Sequence, residues 1–232
     1  MDLKAMMKAV ETAKDVTVTR DKYGYSIDSV FFRRVTTLLG GIPKPWLGTW
    51  AAKMVAEFAY DNIDAWRLLG RTDALKLLKG CPWSRRDDAG DRGTAVHKTL
   101  EAVVRGQPVP DGLNEDEAAC AKWAEQLIRS RGTRFLGSEI IVFSPQMAYA
   151  GTLDLWEIEP DGTSWVLDFK TSAGVYAEHA VQLTAYRHAE FAIVKKQELN
   201  GGEKWTGKVI PWGPQAVDRI GVVHVRPDGA AL

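Results

Sequence analysis

The chain has 232 residues, 45% of them hydrophobic and 26% charged, with 30 basic residues against 30 acidic ones. It is long enough to bury a sizeable core, and too apolar for the class of highly charged, disordered chains. Two distant cysteines, Cys81 and Cys120, exclude a disulfide framework or a paired-cysteine zinc module, no apolar run suits a membrane span, and zero net charge leaves a local nucleic-acid patch open without arguing for one. A reducing, cytoplasmic setting is the simplest expectation.

Residues up to about 80 read as mostly helical after a short extended start. Trp46, Trp50, Met54 and Phe58 fall near helical spacing. "TDALKLLKG" predicts a short helix capped by Thr72 and closed by Gly80. "CPWSRRDDAGDRG", rich in charge and chain breakers, predicts a loop. "TAVHKTLEAVVRG" predicts a helix with Val96, Leu100 and Val103 on one face. Asn114 and Glu117 form a capping-box pattern before a helix with Cys120, Trp123 and Leu127 as its apolar stripe.

The period then changes to two. "SEIIVF" reads as a strand, and Gly151–Ser172, "GTLDLWEIEPDGTSWVLDFKTS", as a hairpin turning at Pro160-Asp161-Gly162-Thr163. "AEHAVQLTAYRHAEFAIVKK" predicts a helix and "KQELNGGEKWTGKVIPWGPQ" a long polar loop. "RIGVVHV" is a last strand, and "RPDGAAL" looks like the start of a hairpin without its second half, as in a shortened chain. The expected organisation is an N-terminal, mostly helical region over 1–90 packed on an α/β core over 91–232.

The hairpin carries the chemistry. Counting back from the turn places Asp154 opposite Asp168, within one or two residues of register. Strand alternation sends Leu153 and Leu155 to one face and Asp154 to the other; Leu167 and Phe169 likewise oppose Asp168 and Lys170. Two neighbouring carboxylates repel unless a cation lies between them. Hard oxygen ligands suit Mg²⁺ or Mn²⁺, and a lysine beside them suits a developing anion or an attacking water. That combination fits metal-assisted phosphodiester hydrolysis. The same charges also suit a solvated strand face with Lys170 paired to an acid, which is the commoner arrangement.

Other residues bear on the choice. His179, Gln182 and Tyr186 form one helical stripe, with Ala180, Leu183 and Phe191 available as core. The stripe either lines a groove for a phosphate backbone or faces water. His97 is either a metal ligand or a surface residue hydrogen-bonded to Glu101. Glu139 is either a third carboxylate near the metal or a charge guarding a strand edge. Arg85, Arg86, Arg92 and Lys98 can neutralise phosphates, or pair with Asp87, Asp88 and Asp91 in a solvated loop. Trp83 can stack on a base or pack on the core.

"GTAVHKTLE", "SEIIVF", "GTLDLW", "LDFKTS" and "VQLTAYRHAE", in that order, resemble the RecB-like branch of the PD-(D/E)XK nuclease superfamily, with particular similarity to phage exonucleases and CRISPR-associated exonucleases. The resemblance implies a mixed central sheet flanked by helices and a metal-dependent DNA exonuclease of recombination or repair. It implies that Asp154, Asp168, the Phe169 carbonyl and His97 bind one or two Mg²⁺ or Mn²⁺ ions, with Glu139 as a further ligand. It gives Lys170 the water-activating role, and Gln182 and Tyr186 contacts to DNA. Some relatives carry a four-cysteine iron–sulfur cluster; with only Cys81 and Cys120 here, no cluster is expected. A structure-selective endonuclease and a catalytically silent DNA-binding module on the same fold are the alternatives. DNA is the expected partner, with a homo-oligomer around it open.

Overall fold

The computed structural model describes residues 14–199 and 204–232; the side chains of 85–89 and 195–199 fall outside that description. Three antiparallel strands open it: β1 (Asp15–Arg20), β2 (Gly24–Ile27) and β3 (Val30–Arg34). The helices α1 (Val35–Leu39), α2 (Trp46–Asp61), α3 (Ile63–Trp66), α4 (Arg71–Val104) and α5 (Glu115–Ser130) follow. Next come β4 (Arg134–Ser144), β5 (Tyr149–Ile158) and β6 (Ser164–Lys170), then α6 (Ala177–His188). The strands β7 (Phe191–Leu199), β8 (Lys204–Pro211), β9 (Arg219–Arg226) and β10 (Gly229–Ala231) complete the order.

Among the described residues, all ten strands belong to one mixed sheet, ordered β10-β9-β6-β5-β3-β2-β1-β8-β7-β4, and β4 also pairs with β5. That extra pairing closes seven strands into a ring, from β5 through β3, β2, β1, β8, β7 and β4 back to β5. Val18, Tyr25, Phe32, Ile141, Ala150, Ile193 and Trp205, one from each of the seven, share a buried cluster, so the ring encloses an apolar filling. Outside it, β6, β9 and β10 extend the sheet beyond β5. There α4 and α5 cover one face through Val96, Leu100, Cys120 and Ile128 against Leu155, Leu167 and Phe169. Helix α6 covers the other face through Leu183 and Tyr186, against Leu153, Trp156, Val166 and Trp212. The chain is thus α/β with a large mixed sheet and flanking helices.

Several sequence expectations change. The extended start is a three-stranded meander integral to the main sheet. The expected loop at 81–93 is helical: α4 runs unbroken from Arg71 to Val104, through residues 90 and 91, with Pro82 inside it. Its N-cap is Gly70, not Thr72. Local breakers lose here because the C-terminal half of the helix is clamped by Val96, Leu100 and Val103, all buried. The capping box at Asn114 and Glu117 forms as expected, but Cys120, Ala121, Ala124 and Ile128 make the buried stripe of α5, and Trp123 is exposed. The expected long helix after Ala177 ends at His188, where Ala189 turns extended, and Phe191 begins a strand. The expected polar loop supplies most of a hairpin, since β7 and β8 pair over eight positions from Phe191↔Pro211 to Leu199↔Lys204. "RPDGAAL" completes its own short hairpin, with β10 antiparallel to β9.

Candidate metal centre and active site

The functional side chains meet where α4, β4, β5, β6 and α6 converge. The β5–β6 ladder runs from Ile158↔Ser164 to Leu155↔Leu167, so the next step of register puts Asp154 across from Asp168. There the side chain of Asp154 replaces the ladder: the Phe169 N–H donates to its Oδ2 at 2.6 Å. In an extended strand the N–H and C=O of one residue leave on the same edge, so the Phe169 carbonyl also faces the Asp154 side. On the far edge of β5, the β4 register passes from Ser138↔Leu155 to Ile140↔Leu153 and leaves out Glu139, whose φ is 52°. A left-handed glutamate is strained, and such residues concentrate at functional sites.

This irregularity corrects the predicted alternation. Leu153 packs with Leu183 and Tyr186 beneath α6, whereas Leu155 packs with Val96 and Leu100 beneath α4. The two leucines do not share a face, because the unpaired positions at Glu139 and Asp154 reset the period of two.

His97, Glu139 and Asp154 each offer a ligand atom within 4.8 Å of the others'. His97 Nδ1 lies 3.4 Å from Asp154 Oδ1 and 3.8 Å from Glu139 Oε1. His97 therefore turns into the site and not toward Glu101, which pairs with Arg105 at 2.7 Å. Desolvation lowers the His97 pKa, against the pull of Glu139 and Asp168. A neutral imidazole has a lone pair to give a cation. Asp168 stands beside this trio, not within it. Its Oδ2 lies 2.7 Å from Lys170 Nζ, and its Oδ1 accepts from Gln182 Nε2 at 3.2 Å.

Both aspartates are buried, at 8% exposure for Asp154 and 1% for Asp168. Burial pushes Asp154 up to about 7, helped by Glu139 and opposed by Lys170 and the Phe169 N–H. Burial and then the neighbouring Asp154 push Asp168 up to about 7, opposed by Lys170. Two acids this close, with one lysine between them and solvent, are under-compensated, the condition a divalent cation relieves. Within the trio, two carboxylates give hard oxygen donors and one imidazole a borderline nitrogen, with the Asp168 carboxyl beside them.

The stripe His179, Gln182 and Tyr186 is the buried face of α6, while Ala180, predicted as core, is exposed. Gln182 Nε2 also donates to Tyr186 Oη at 2.9 Å, so one amide links Asp168 to the tyrosine. Burial raises the Tyr186 pKa well above 10, and the phenol stays protonated. Gly151 lets this ring in: a Cβ there would lie 2.2 Å from Tyr186 Cε1. Gly151→Ala is therefore expected to destabilise the protein by about 1–3 kcal/mol through overpacking. A lowered urea midpoint in equilibrium unfolding checks this, and an unchanged midpoint would refute the packing account.

The basic residues divide. Arg92 is drawn to Asp116 on α5, 3.6 Å away, and so braces the two helices instead of the site. Lys98 is exposed, as is Trp83. The side chains of Arg85 and Arg86 lie outside the described residues. Cys81 and Cys120 are both buried thiols, the latter in the core beneath α4 and α5. Among the described residues, no helix is long and apolar enough to cross a membrane.

Glu139, an acid whose place in the sequence suits a strand edge equally well, completes the trio. The signal available was its acid at the entry of an apolar strand. Its left-handed backbone, with φ 52°, is not encoded in a period of two.

Comparison with models of known protein families gives no match, and comparison with curated proteins gives none either.

Proposed function

We propose that this chain is a divalent-metal-dependent deoxyribonuclease on a RecB-like PD-(D/E)XK core, acting as an exonuclease. One observation carries the reading: Asp154, Asp168, Glu139, His97 and Lys170, drawn from four different elements, converge on one point although the two aspartates cost stability there. A purely structural cluster offers no reason to bury two carboxyls beside each other with a single lysine.

His97, Glu139 and Asp154 are the residues that would hold the metal, with Asp168 and the Phe169 carbonyl next to them. A bound Mg²⁺ or Mn²⁺ supplies Lewis acidity at the phosphate and a lowered water pKa. Lys170 places positive charge where the attacking water and the phosphoryl oxygens gather. In the hydrolysis, water oxygen bonds to phosphorus, the phosphorus–oxygen ester bond breaks, and the leaving alkoxide takes up a proton. Gln182 holds Asp168 in the orientation that keeps Lys170 in place, and Tyr186 holds Gln182.

The test is digestion of linear and closed circular DNA, each with EDTA, Mg²⁺ or Mn²⁺. Metal-dependent loss of the linear substrate with the circle intact is the expected result. Nicking or linearisation of the circle would make the protein an endonuclease. No metal-dependent cleavage of either would leave a silent binding module and overturn the proposal.

A further inference from the structure

Outside the metal centre, the start of α2 is fastened to the start of α6. The Trp46 and Tyr176 rings stack with centroids 5.8 Å apart and planes 12° apart. Tyr176 in turn meets the His179 imidazole edge-on at 5.5 Å. Beside the rings, Lys44 pairs with Glu178 at 2.8 Å. The rings are not core: Trp46 is 45% exposed, Tyr176 38%, and α2 contains no buried residue.

The row leads inward. His179 lies one helical turn before Gln182, which bonds Asp168. Burial lowers the His179 pKa, and Lys170 acts electrostatically in the same direction. The His179 Nδ1 accepts from the Tyr176 N–H at 3.2 Å, which leaves the proton of the neutral ring on Nε2. Only five residues, 171–175, separate Lys170 from Tyr176. A short loop, pinned where Ser172 O meets His224 Nε2 at 2.8 Å, thus joins the cationic end of the site to an exposed aromatic stack.

We infer that Trp46 and Tyr176 are a stacking platform for the unpaired bases of a single DNA strand whose backbone runs past His179 to Lys170. The inference rests on the nuclease reading and specifies its substrate as a strand end without a pairing partner. Bases inside a duplex already stack on each other and present no free face to a ring, whereas an unpaired base does, whatever its identity. The platform's continuity with the site sets the occupant. A strand held on Trp46 and Tyr176 has its next phosphates beside His179 and Lys170.

The test measures binding of a fluorescein-labelled oligothymidylate and of an abasic oligomer of equal length, in EDTA so that neither is cut. Trp46→Ala should weaken oligothymidylate binding about tenfold and leave the abasic oligomer unchanged. Trp46→Phe, which keeps a ring, should stay within about twofold of the wild type. Glu178→Gln breaks the Lys44 pair but keeps both rings, and should also stay within about twofold. Equal oligothymidylate binding by wild type and Trp46→Ala would overturn the platform and leave the nuclease reading standing. So would a loss in Glu178→Gln as large as in Trp46→Ala, which would make the stack a latch between α2 and α6. Failure of the wild type to bind either oligomer would overturn the platform, while the nuclease reading stands or falls by the metal-dependent digestion of linear DNA.

Discussion

Lys170→Ala is expected to lower hydrolysis of linear DNA by about a thousandfold, with the fold retained. The ammonium is 2.7 Å from Asp168 Oδ2, and it opposes the raised pKa of both buried aspartates. In the proposed hydrolysis it is the cation that stands against the buried carboxylates where the phosphoryl group would lie. Its side chain is partly solvated, so truncation empties no core. What the variant loses is charge compensation: Asp154 and Asp168 should titrate still higher, and metal should bind with a different pH dependence. Rates of release of acid-soluble nucleotide, beside melting curves for both proteins, check this. Wild-type rates in a folded Lys170→Ala protein would remove the lysine from the mechanism, and with it the assigned site.

Metal-free protein should become less stable as pH rises from about 4 to about 7. An aspartate normally titrates at 3.8, and both Asp154 and Asp168 are pushed up to about 7 in the fold. Over that window the folded chain holds protons that the unfolded chain has released, so raising the pH favours unfolding. Below the window both states are protonated and no penalty exists; above it the penalty is complete. One carboxyl moved from 3.8 to about 7 corresponds to about 4 kcal/mol, or a fall in Tm on the order of 10 °C for a chain of this size. The two sites interact, so their effects do not simply add.

Melting in EDTA between pH 5 and pH 8 measures that slope, and an Asp154→Asn, Asp168→Asn double variant should flatten it. Saturating Mg²⁺ or Mn²⁺ should raise the wild-type Tm more at pH 8 than at pH 5, because at pH 5 the cation must first displace protons. Identical slopes in the wild type and the double variant would mean that these carboxyls are not the destabilising groups.

The parts of this site that were readable in advance are those encoded locally. Asp161-Gly162 marks the turn, and counting back from it brings Asp154 opposite Asp168 within one or two residues, one step past the last observed pair, Leu155↔Leu167. The i, i+3, i+7 spacing puts His179, Gln182 and Tyr186 on one side of α6. What that side faces was not readable: a stripe of histidine, glutamine and tyrosine looks solvated, and it is buried because Asp168 accepts from the glutamine. The helix read on past His188 shows the converse error. "FAIV" satisfies either period over four residues, and pairing with β4 and β8 makes it a strand.

The sequence alone determined the capping box of α5, the hairpin and its turn, and the identity of the acids and the lysine. Each of these depends on neighbours within a turn or a strand pair, whose geometry short-range sterics and hydrogen bonding set. Tertiary structure decided that α4 runs through its own breakers, and that seven strands close on an apolar filling. It decided also that Glu139 joins His97 and Asp154 while Arg92 does not approach them. Those outcomes depend on which surfaces, distant along the chain, bury each other, and the free energy of that burial outweighs the local preferences it overrides.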